Sequence, residues 1–245
     1  MFDLYLSEMS GKDETLESKI IFRAVIGFIL YTILPPALLF LAAGTLRWPM
    51  AWVYIILMIL AMVTSRLLVF RKNPDLLRER ARFSQRDQSS VQDRLLVAVI
   101  AVYGPLAAAI LAGLDQRFGW SAWASLSMQL TGAAVLAAGY GLGVWAMVSN
   151  AFFSANARLQ EDRGQTVVAW RPYRHVRHPA YLGGVLSAVA FPVMLDALWA
   201  FVPALVMVAS IIIRTKLEDD MLLGGLEGYS DYVRKARYRL LPGIW

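Results

Sequence analysis

The segment Tyr173–Tyr181 carries the densest group of side chains that could do chemistry. It holds both histidines of the chain, with arginines and tyrosines, directly before an apolar stretch. A second polar cluster at residues 214–220 follows the next two apolar stretches. Within it, Arg214 and Glu218 are four residues apart, so a helix presents both on one face. We expect the two clusters to meet as the two halves of one site.

The connection formed by residues 150–179 supplies further candidates. His178-Pro179 is typical of a junction between a loop and a helix, because the residue before proline avoids the helical region and proline favours the first turn. The N–H groups at the start of that helix can then meet an anion such as a carboxylate. Residues 165–168 are expected to offer backbone donors and acceptors in an extended run.

The elements that position these clusters are predicted to be membrane helices. Hydrophobic residues make up 58% of the chain and charged residues 17%, against about 25% charged in globular domains. The apolar residues form six stretches, at 20–43, 48–70, 95–114, 122–148, 180–195 and 198–213. The first four approach the roughly 20 residues that span a bilayer, whereas the last two are shorter. We predict an all-α, polytopic membrane bundle of about six hydrophobic segments whose last two form a short tilted hairpin.

Lysine and arginine predict the orientation of this bundle. The predicted outer connections hold only Arg47 and Arg117 of the 24 basic residues, whereas the connection 71–94 holds seven. By the positive-inside rule, both termini and the connection 150–179 are cytoplasmic, and a cofactor pocket there opens to the cytoplasm. The net charge of +6 then reflects orientation and attraction to lipid headgroups, and not a nucleic-acid partner.

Three regions follow from this pattern. Residues 1–19 form an N-terminal segment without the basic region of a signal peptide. Residues 20–149 form the first transmembrane helices, and their basic connection 71–94 includes a predicted surface helix that starts at Asn73. Residues 150–245 carry the candidate site.

Several kinds of site are disfavoured. The chain has no cysteine, which removes disulfides, thiolate nucleophiles and cysteine zinc sites. Two histidines without an evident third ligand do not favour a metal centre. The glycines at 139, 141 and 143 predict close packing of two helices and not a dinucleotide site, because no strand precedes them.

The motifs occur in a specific order. Arg-His-Pro-x-Tyr lies at residues 177–181, with Tyr173 five residues before the histidine. Arg-x-x-x-Glu-Asp-x-x-Leu follows at 214–222, then Tyr-x-x-Tyr at 229–232 and a basic, apolar, proline segment at 239–242. Together they resemble the C-terminal half of the isoprenylcysteine carboxyl methyltransferase family and its phospholipid-methyltransferase-like relatives, in which a second glutamate stands where this chain has Asp219. The resemblance covers roughly residues 160–242.

That family transfers the methyl group of S-adenosylmethionine to a lipid-borne acceptor at the cytoplasmic face, leaving S-adenosylhomocysteine. The resemblance implies that Arg214 meets the acceptor. It also implies a set of cofactor contacts, which are Gln160, Gln165, Thr166, Val167, Val168, Tyr173, His178, Pro179, Ala180, Tyr181 and Glu218.

The chemistry of the acceptor stays open. A carboxylate, as in isoprenylcysteine, is favoured and needs no general base, and Arg214 can orient it through its planar guanidinium. A phospholipid amine or a small thiol must lose a proton, which makes His175, His178 or Glu218 the candidate base.

Two other functions compete with methyl transfer. A membrane reductase using NADPH is similar in its C-terminal architecture, but would need further basic residues for the 2′-phosphate and a longer bundle. A non-enzymatic scaffold or transporter would be expected to carry polar residues along the middle of the membrane, whereas here they gather at one face.

Overall fold

The structure is a computed structural model that describes residues 26–72 except 28 and 31, residues 90–154 and residues 157–245. Within these ranges the chain forms helices and no strand. The predicted surface helix at Asn73 and the segment 1–19 lie outside the described residues. The all-α prediction is therefore confirmed for the described part of the chain.

Seven α-helical elements follow one another in the described residues. They are α1 (Thr32–Ala43), α2 (Pro49–Lys72), α3 (Val91–Phe118), α4 (Leu126–Ser149), α5 (Pro179–Met194), α6 (Phe201–Gly225) and α7 (Tyr229–Lys235). Short 3-10 turns lie at Glu161–Arg163, Arg171–Arg174 and Leu198–Ala200.

Among the described residues, four helices are long and apolar enough to cross a membrane. These are α2, α3, α4 and the continuous helix Leu198–Gly225, which contains α6. Large apolar side chains face outward on them: Phe70 is 68% exposed, Leu60 57% and Val206 52%. Exposed apolar surface of this extent marks a protein that faces lipid, so the chain is an integral membrane protein.

The last two apolar stretches differ from the predicted short hairpin in one respect. α5 has 16 residues, as expected, but α6 continues through the polar cluster at 214–220 and reaches Gly225. The apolar stretch ends at Ile213, and the helix continues beyond it through Arg214 and Glu218, as their four-residue spacing predicts.

We name the two ends of the bundle by their connections. The loop end carries residues 150–178, the start of α3 and the end of α6. The turn end carries the connections 119–125 and 195–200. There Asp115, fully buried at 0% exposure, accepts hydrogen bonds from the Ser121 hydroxyl and from the N–H of Trp199, which ties α3 to the connection between α5 and α6.

Glycines bring α4 and α5 into close contact. A Cβ at Gly139 would lie 2.7 Å from the carbonyl oxygen of Gly183, and a Cβ at Gly183 would lie 2.5 Å from that of Gly139. Any larger side chain would separate the helices. The predicted packing role is confirmed for Gly139, whereas Gly141 and Gly143 have open space where a Cβ would lie.

A π-helical turn interrupts α3 at Val99–Tyr103. Pro105 has no N–H to donate to the carbonyl four residues earlier, and the Gly104 N–H donates to Val99 across the wider turn. Such a turn inserts one residue into the helix and is often found beside functional sites. Asp93 lies before this turn, on the part of α3 that faces α6.

Candidate functional site

A cavity of about 680 Å³ lies between the helices and the loop 150–178. Its volume falls within the range of about 300–1,000 Å³ that is usual for small-molecule sites. Polar residues line it at the loop end. Towards the middle of the bundle the lining becomes apolar, with Tyr54, Met58, Leu136, Phe191 and Met207.

The site residues that the family resemblance implies all line this one cavity. Loop residues, the start of α5 and the polar part of α6 each contribute: Gln160, Gln165, Thr166, Val167, Val168, Tyr173, His178, Pro179, Ala180, Tyr181, Arg214 and Glu218. The two polar clusters therefore meet, as expected. His175 is exposed and is not among the residues that line the cavity.

Tyr181 joins the two clusters directly. Its ring stacks on that of His178 with 5.6 Å between centroids, and its hydroxyl donates to Glu218 Oε2 at 2.5 Å. His178 begins α5 and Glu218 lies on α6. The pair of aromatic faces and the carboxylate thus form one polar wall of the cavity.

Arg214 is held by a partner that the sequence analysis missed. Its Nε donates to Asp93 Oδ1 at 2.8 Å, and both side chains are nearly buried. Its guanidinium carbon lies 5.5 Å from the centre of the Tyr181 ring, a distance typical of a cation–π contact. Arg214 and Glu218 thus lie on the same face of α6, as predicted. Arg214 contacts Asp93 on α3, whereas Glu218 contacts Tyr181 on α5.

Asp219 connects four surrounding side chains at the loop end. Its Oδ2 is 3.2 Å from Arg177 Nη1 and 2.8 Å from Arg239 Nε. Its Oδ1 is 3.3 Å from His178 Nε2 and accepts from the Tyr229 hydroxyl at 2.8 Å. Asp219 is 1% exposed, and its charge is balanced by the arginines around it.

Buried tyrosines fill the space between the loop and α7. The Tyr232 hydroxyl donates to the Tyr173 carbonyl at 2.6 Å, and the Tyr173 hydroxyl donates to Ala146 at 3.3 Å. Burial raises the pKa of Tyr173, Tyr229 and Tyr232 above its usual value near 10, and the neighbouring Asp219 carboxylate raises the pKa of Tyr229 further. All three stay neutral donors at neutral pH.

Gln160 holds the loop together with its own side chain. Its Nε2 donates to the Phe152 carbonyl at 2.6 Å, and its Oε1 accepts from Arg163. Its backbone N–H donates to Gln165 Oε1 at 2.7 Å. Since protein groups already meet both ends of this amide, Gln160 shapes the cavity, and its contact with a cofactor stays a prediction.

Two groups of donors at the site suit an anionic or carbonyl ligand atom. Arg177 lines the cavity, and its Nε is buried without a hydrogen-bond partner among the described residues. Ala180 and Tyr181 belong to the first turn of α5, whose N–H groups have no acceptor within the helix. In the described ranges, no group of three or more His, Cys, Asp or Glu side chains is placed to hold a metal ion.

The missed residues share one property, which is that their partners are distant in sequence. Asp93 and Arg214 are 121 residues apart, and Asp219 and Arg239 are 20 apart. In the sequence, Asp93 is an acidic residue just before the apolar stretch 95–114. Asp93 was counted there as part of the basic connection 71–94. Asp219 was noted only as a replacement for glutamate.

Residues 132–224 match the model of the isoprenylcysteine carboxyl methyltransferase (ICMT) family. No curated protein matches the chain. The matched region runs from α4 to the end of α6 and includes both polar clusters. The resemblance noted in the sequence is thereby confirmed for this region, and together with the apolar helices it supports a membrane methyltransferase. The tyrosines of α7 and the segment 239–242 lie beyond the match.

Proposed function

We propose that this protein transfers a methyl group from S-adenosylmethionine to a lipid-like acceptor with a carboxylate of the isoprenylcysteine type. One observation carries the proposal: the residues implied by the family line a single cavity that is polar at the loop end and apolar towards the middle of the bundle. A nucleoside with charged groups suits the first part, and a hydrocarbon chain suits the second.

The polar part has groups that complement each portion of the cofactor. Glu218 suits the α-ammonium or the ribose. The first-turn N–H groups of α5 and the unpaired Arg177 Nε suit the α-carboxylate. A buried donor without a partner costs about 1–3 kcal/mol, and a ligand oxygen would offset that cost. The faces of Tyr181 and His178 suit the adenine or the sulfonium.

The acceptor would place its apolar chain among the helices and its carboxylate near Arg214. When bound, the cofactor supplies an electrophilic methyl group on sulfur, which becomes bonded to a carboxylate oxygen as the bond to sulfur breaks. No proton has to move. The residues therefore act by orientation, which can supply about 7–11 kcal/mol when the reacting atoms are held close. Exclusion of water by the apolar walls strengthens the attraction between Arg214 and the carboxylate.

We further propose that the loop end faces the cytoplasm. The basic residues of the connection 71–94 and of the chain after Arg214 follow helices that end there, whereas the turn end has Arg47 and Arg117. This distribution agrees with the positive-inside rule. A cysteine-accessibility assay in intact cells checks it, with single cysteines placed at Lys235 and at Trp120.

Cofactor binding is tested by calorimetry on the purified protein in detergent. We expect S-adenosylhomocysteine to bind and NADPH not to bind. Binding of NADPH without binding of S-adenosylhomocysteine would instead indicate a reductase. Incubation with labelled S-adenosylmethionine and a panel of prenylcysteines, phospholipid amines and thiols then identifies the acceptor, and methylation of an amine or thiol alone would contradict the carboxylate.

The role of Glu218 is tested by Glu218→Gln, which keeps the size of the side chain. Loss of a charged hydrogen bond costs about 1.5–3 kcal/mol, so S-adenosylhomocysteine should bind roughly tenfold or more weakly. Asp220→Asn is the matched control, because Asp220 is exposed on the same turn of α6. Equal affinity of the Glu218 variant and the wild type would remove Glu218 from the site.

A further inference from the structure

Asp93 is a buried acid outside the region that matches the family. It lies in the first turn of α3, before residue 132, and only 5% of it is exposed. Its N–H donates to the hydroxyl of Ser90, the residue that caps the helix, at 3.1 Å. Neither the motif order nor the family match gives this residue a role.

The two carboxylate oxygens of Asp93 bind different parts of the molecule. Oδ1 accepts from Arg214 Nε at 2.8 Å, and Oδ2 accepts from the backbone N–H of Ala157 at 3.1 Å. Arg214 lies on α6 and Ala157 in the loop 150–178, and both line the cavity. One side chain therefore ties α3 to the cation of the site and to the loop that covers it.

Stability alone does not explain this pair. A buried ion pair costs about as much desolvation energy as it gains in attraction, and apolar side chains of similar size are often as stable. The pair instead fixes the position of the Arg214 guanidinium. An arginine side chain has about 2 kcal/mol of rotamer entropy, and the bond to Asp93 holds its guanidinium over the ring of Tyr181, whose hydroxyl in turn binds Glu218.

We propose that Asp93 is a positioning residue for the acceptor. Its carboxylate holds the Arg214 guanidinium at the position where an anionic acceptor would meet it. The same carboxylate holds the loop at Ala157 next to Arg214. Asp93 acts through Arg214 and makes no contact with the reacting atoms. This inference rests on the proposed function, with a carboxylate as the acceptor.

The test separates binding of the cofactor from use of the acceptor. Asp93→Asn keeps the shape of the side chain and removes its charge. We use the full-length protein in detergent, S-adenosylhomocysteine for binding, and N-acetyl-S-farnesylcysteine with labelled S-adenosylmethionine for turnover. We expect kcat/KM for the acceptor to fall by at least about tenfold, equal to about 1.4 kcal/mol, with the S-adenosylhomocysteine Kd changed by less than about threefold.

Two further variants exclude a purely structural explanation. Asp115→Asn removes a buried charge at the turn end, and its kcat/KM should stay within about threefold of the wild type, since Asp115 binds Ser121 and Trp199 far from the cavity's polar end. Asp93→Asn with Arg214→Gln removes both charges of the pair. This double variant should regain thermal stability relative to Asp93→Asn, because no unpaired charge stays buried. It should turn over no more slowly than Arg214→Gln alone, because Asp93 acts only through Arg214.

Each outcome decides the inference. Near-normal kcat/KM in Asp93→Asn overturns it and leaves the proposed function intact. A double variant that is clearly slower than Arg214→Gln alone also overturns it, because Asp93 then acts by a route other than Arg214. Wild-type protein that does not bind S-adenosylhomocysteine contradicts the proposed function itself. Wild-type protein that binds S-adenosylhomocysteine but does not methylate the farnesylcysteine probe overturns the carboxylate acceptor, and with it the role of Asp93.

Discussion

Each end of the bundle holds two aspartates that are buried or partly buried, but these aspartates have different partners at the two ends. At the turn end, Asp115 accepts from the Ser121 hydroxyl, and Asp196 accepts from the N–H groups of Trp123 and Ala124. At the loop end, Asp93 and Asp219 bind arginine side chains. The first kind of contact joins the short connections of that end to one another and to α3, and it fixes where the helices end. The second crosses between elements and surrounds a cavity.

The difference shows which charges serve the fold and which serve a ligand. A carboxylate that accepts from backbone N–H groups completes the hydrogen bonding of a turn. Arginines bring charge that the turn does not need, and burying it costs desolvation energy. That cost is reasonable where a charged ligand must be oriented. Loss of a charge at the loop end should therefore affect ligand use, and loss of a carboxylate contact at the turn end should affect stability only.

The largest effect is expected for Arg214→Gln. Loss of the group that orients the acceptor displaces its reacting oxygen, and a displacement of about 1 Å lowers the rate by about 10²-fold, whereas S-adenosylhomocysteine should bind almost normally, because Glu218 and the loop remain. The rate is measured by methyl transfer to N-acetyl-S-farnesylcysteine, and the affinity for S-adenosylhomocysteine is measured by calorimetry. Turnover within about threefold of the wild type would reduce Arg214 to a structural residue.

A smaller effect on ligand use, accompanied by a loss of stability, is expected for Asp219→Asn. This variant weakens the contacts to Arg177, Arg239 and His178, and loss of one partner of a buried pair costs about 3–5 kcal/mol. Because Arg177 and His178 line the cavity, S-adenosylhomocysteine should also bind about tenfold more weakly.

Asp115→Asn is the counterpart of Asp219→Asn at the turn end. It should lower the melting temperature without changing the S-adenosylhomocysteine Kd. If the two variants weaken binding equally, the distinction between the two ends is wrong.

The smallest effect is expected for Ser121→Ala. Asp115 loses a hydroxyl donor at 2.6 Å and keeps the Ser121 backbone donor at 2.9 Å. Loss of a hydrogen-bond donor to a buried carboxylate lowers the free energy of unfolding by about 1–3 kcal/mol. A thermal melt in detergent measures this change. Turnover of the folded protein should not change, and a loss of turnover would mean that the turn end influences the cavity.

The sequence was sufficient for whatever depends on local pattern. Apolar stretches predicted the helices, and the spacing from Arg214 to Glu218 predicted their common face. His178-Pro179 predicted the start of α5, since proline restricts both residues. Gly139 predicted close packing, because only a residue without a Cβ allows it.

What the sequence did not predict depends on contacts between distant segments. The residues next to Asp93 in the sequence do not indicate that Arg214 is its partner. The π-helical turn at Val99–Tyr103 is likewise not predicted by the hydrophobic periodicity. The apolar stretch 198–213 did not show that α6 extends to Gly225, because the polar residues beyond Ile213 break the apolar pattern. Asp219 acquires its partners only when the loop, α6, α7 and Arg239 are brought together.

A structure of the protein determined with S-adenosylhomocysteine tests the central claim most directly. We expect the nucleoside in the polar part of the cavity, in contact with His178, Tyr181 and Glu218, and its sulfur directed towards the apolar part near Arg214. Ligand bound elsewhere, or a cavity that stays empty at saturating S-adenosylhomocysteine, would contradict it.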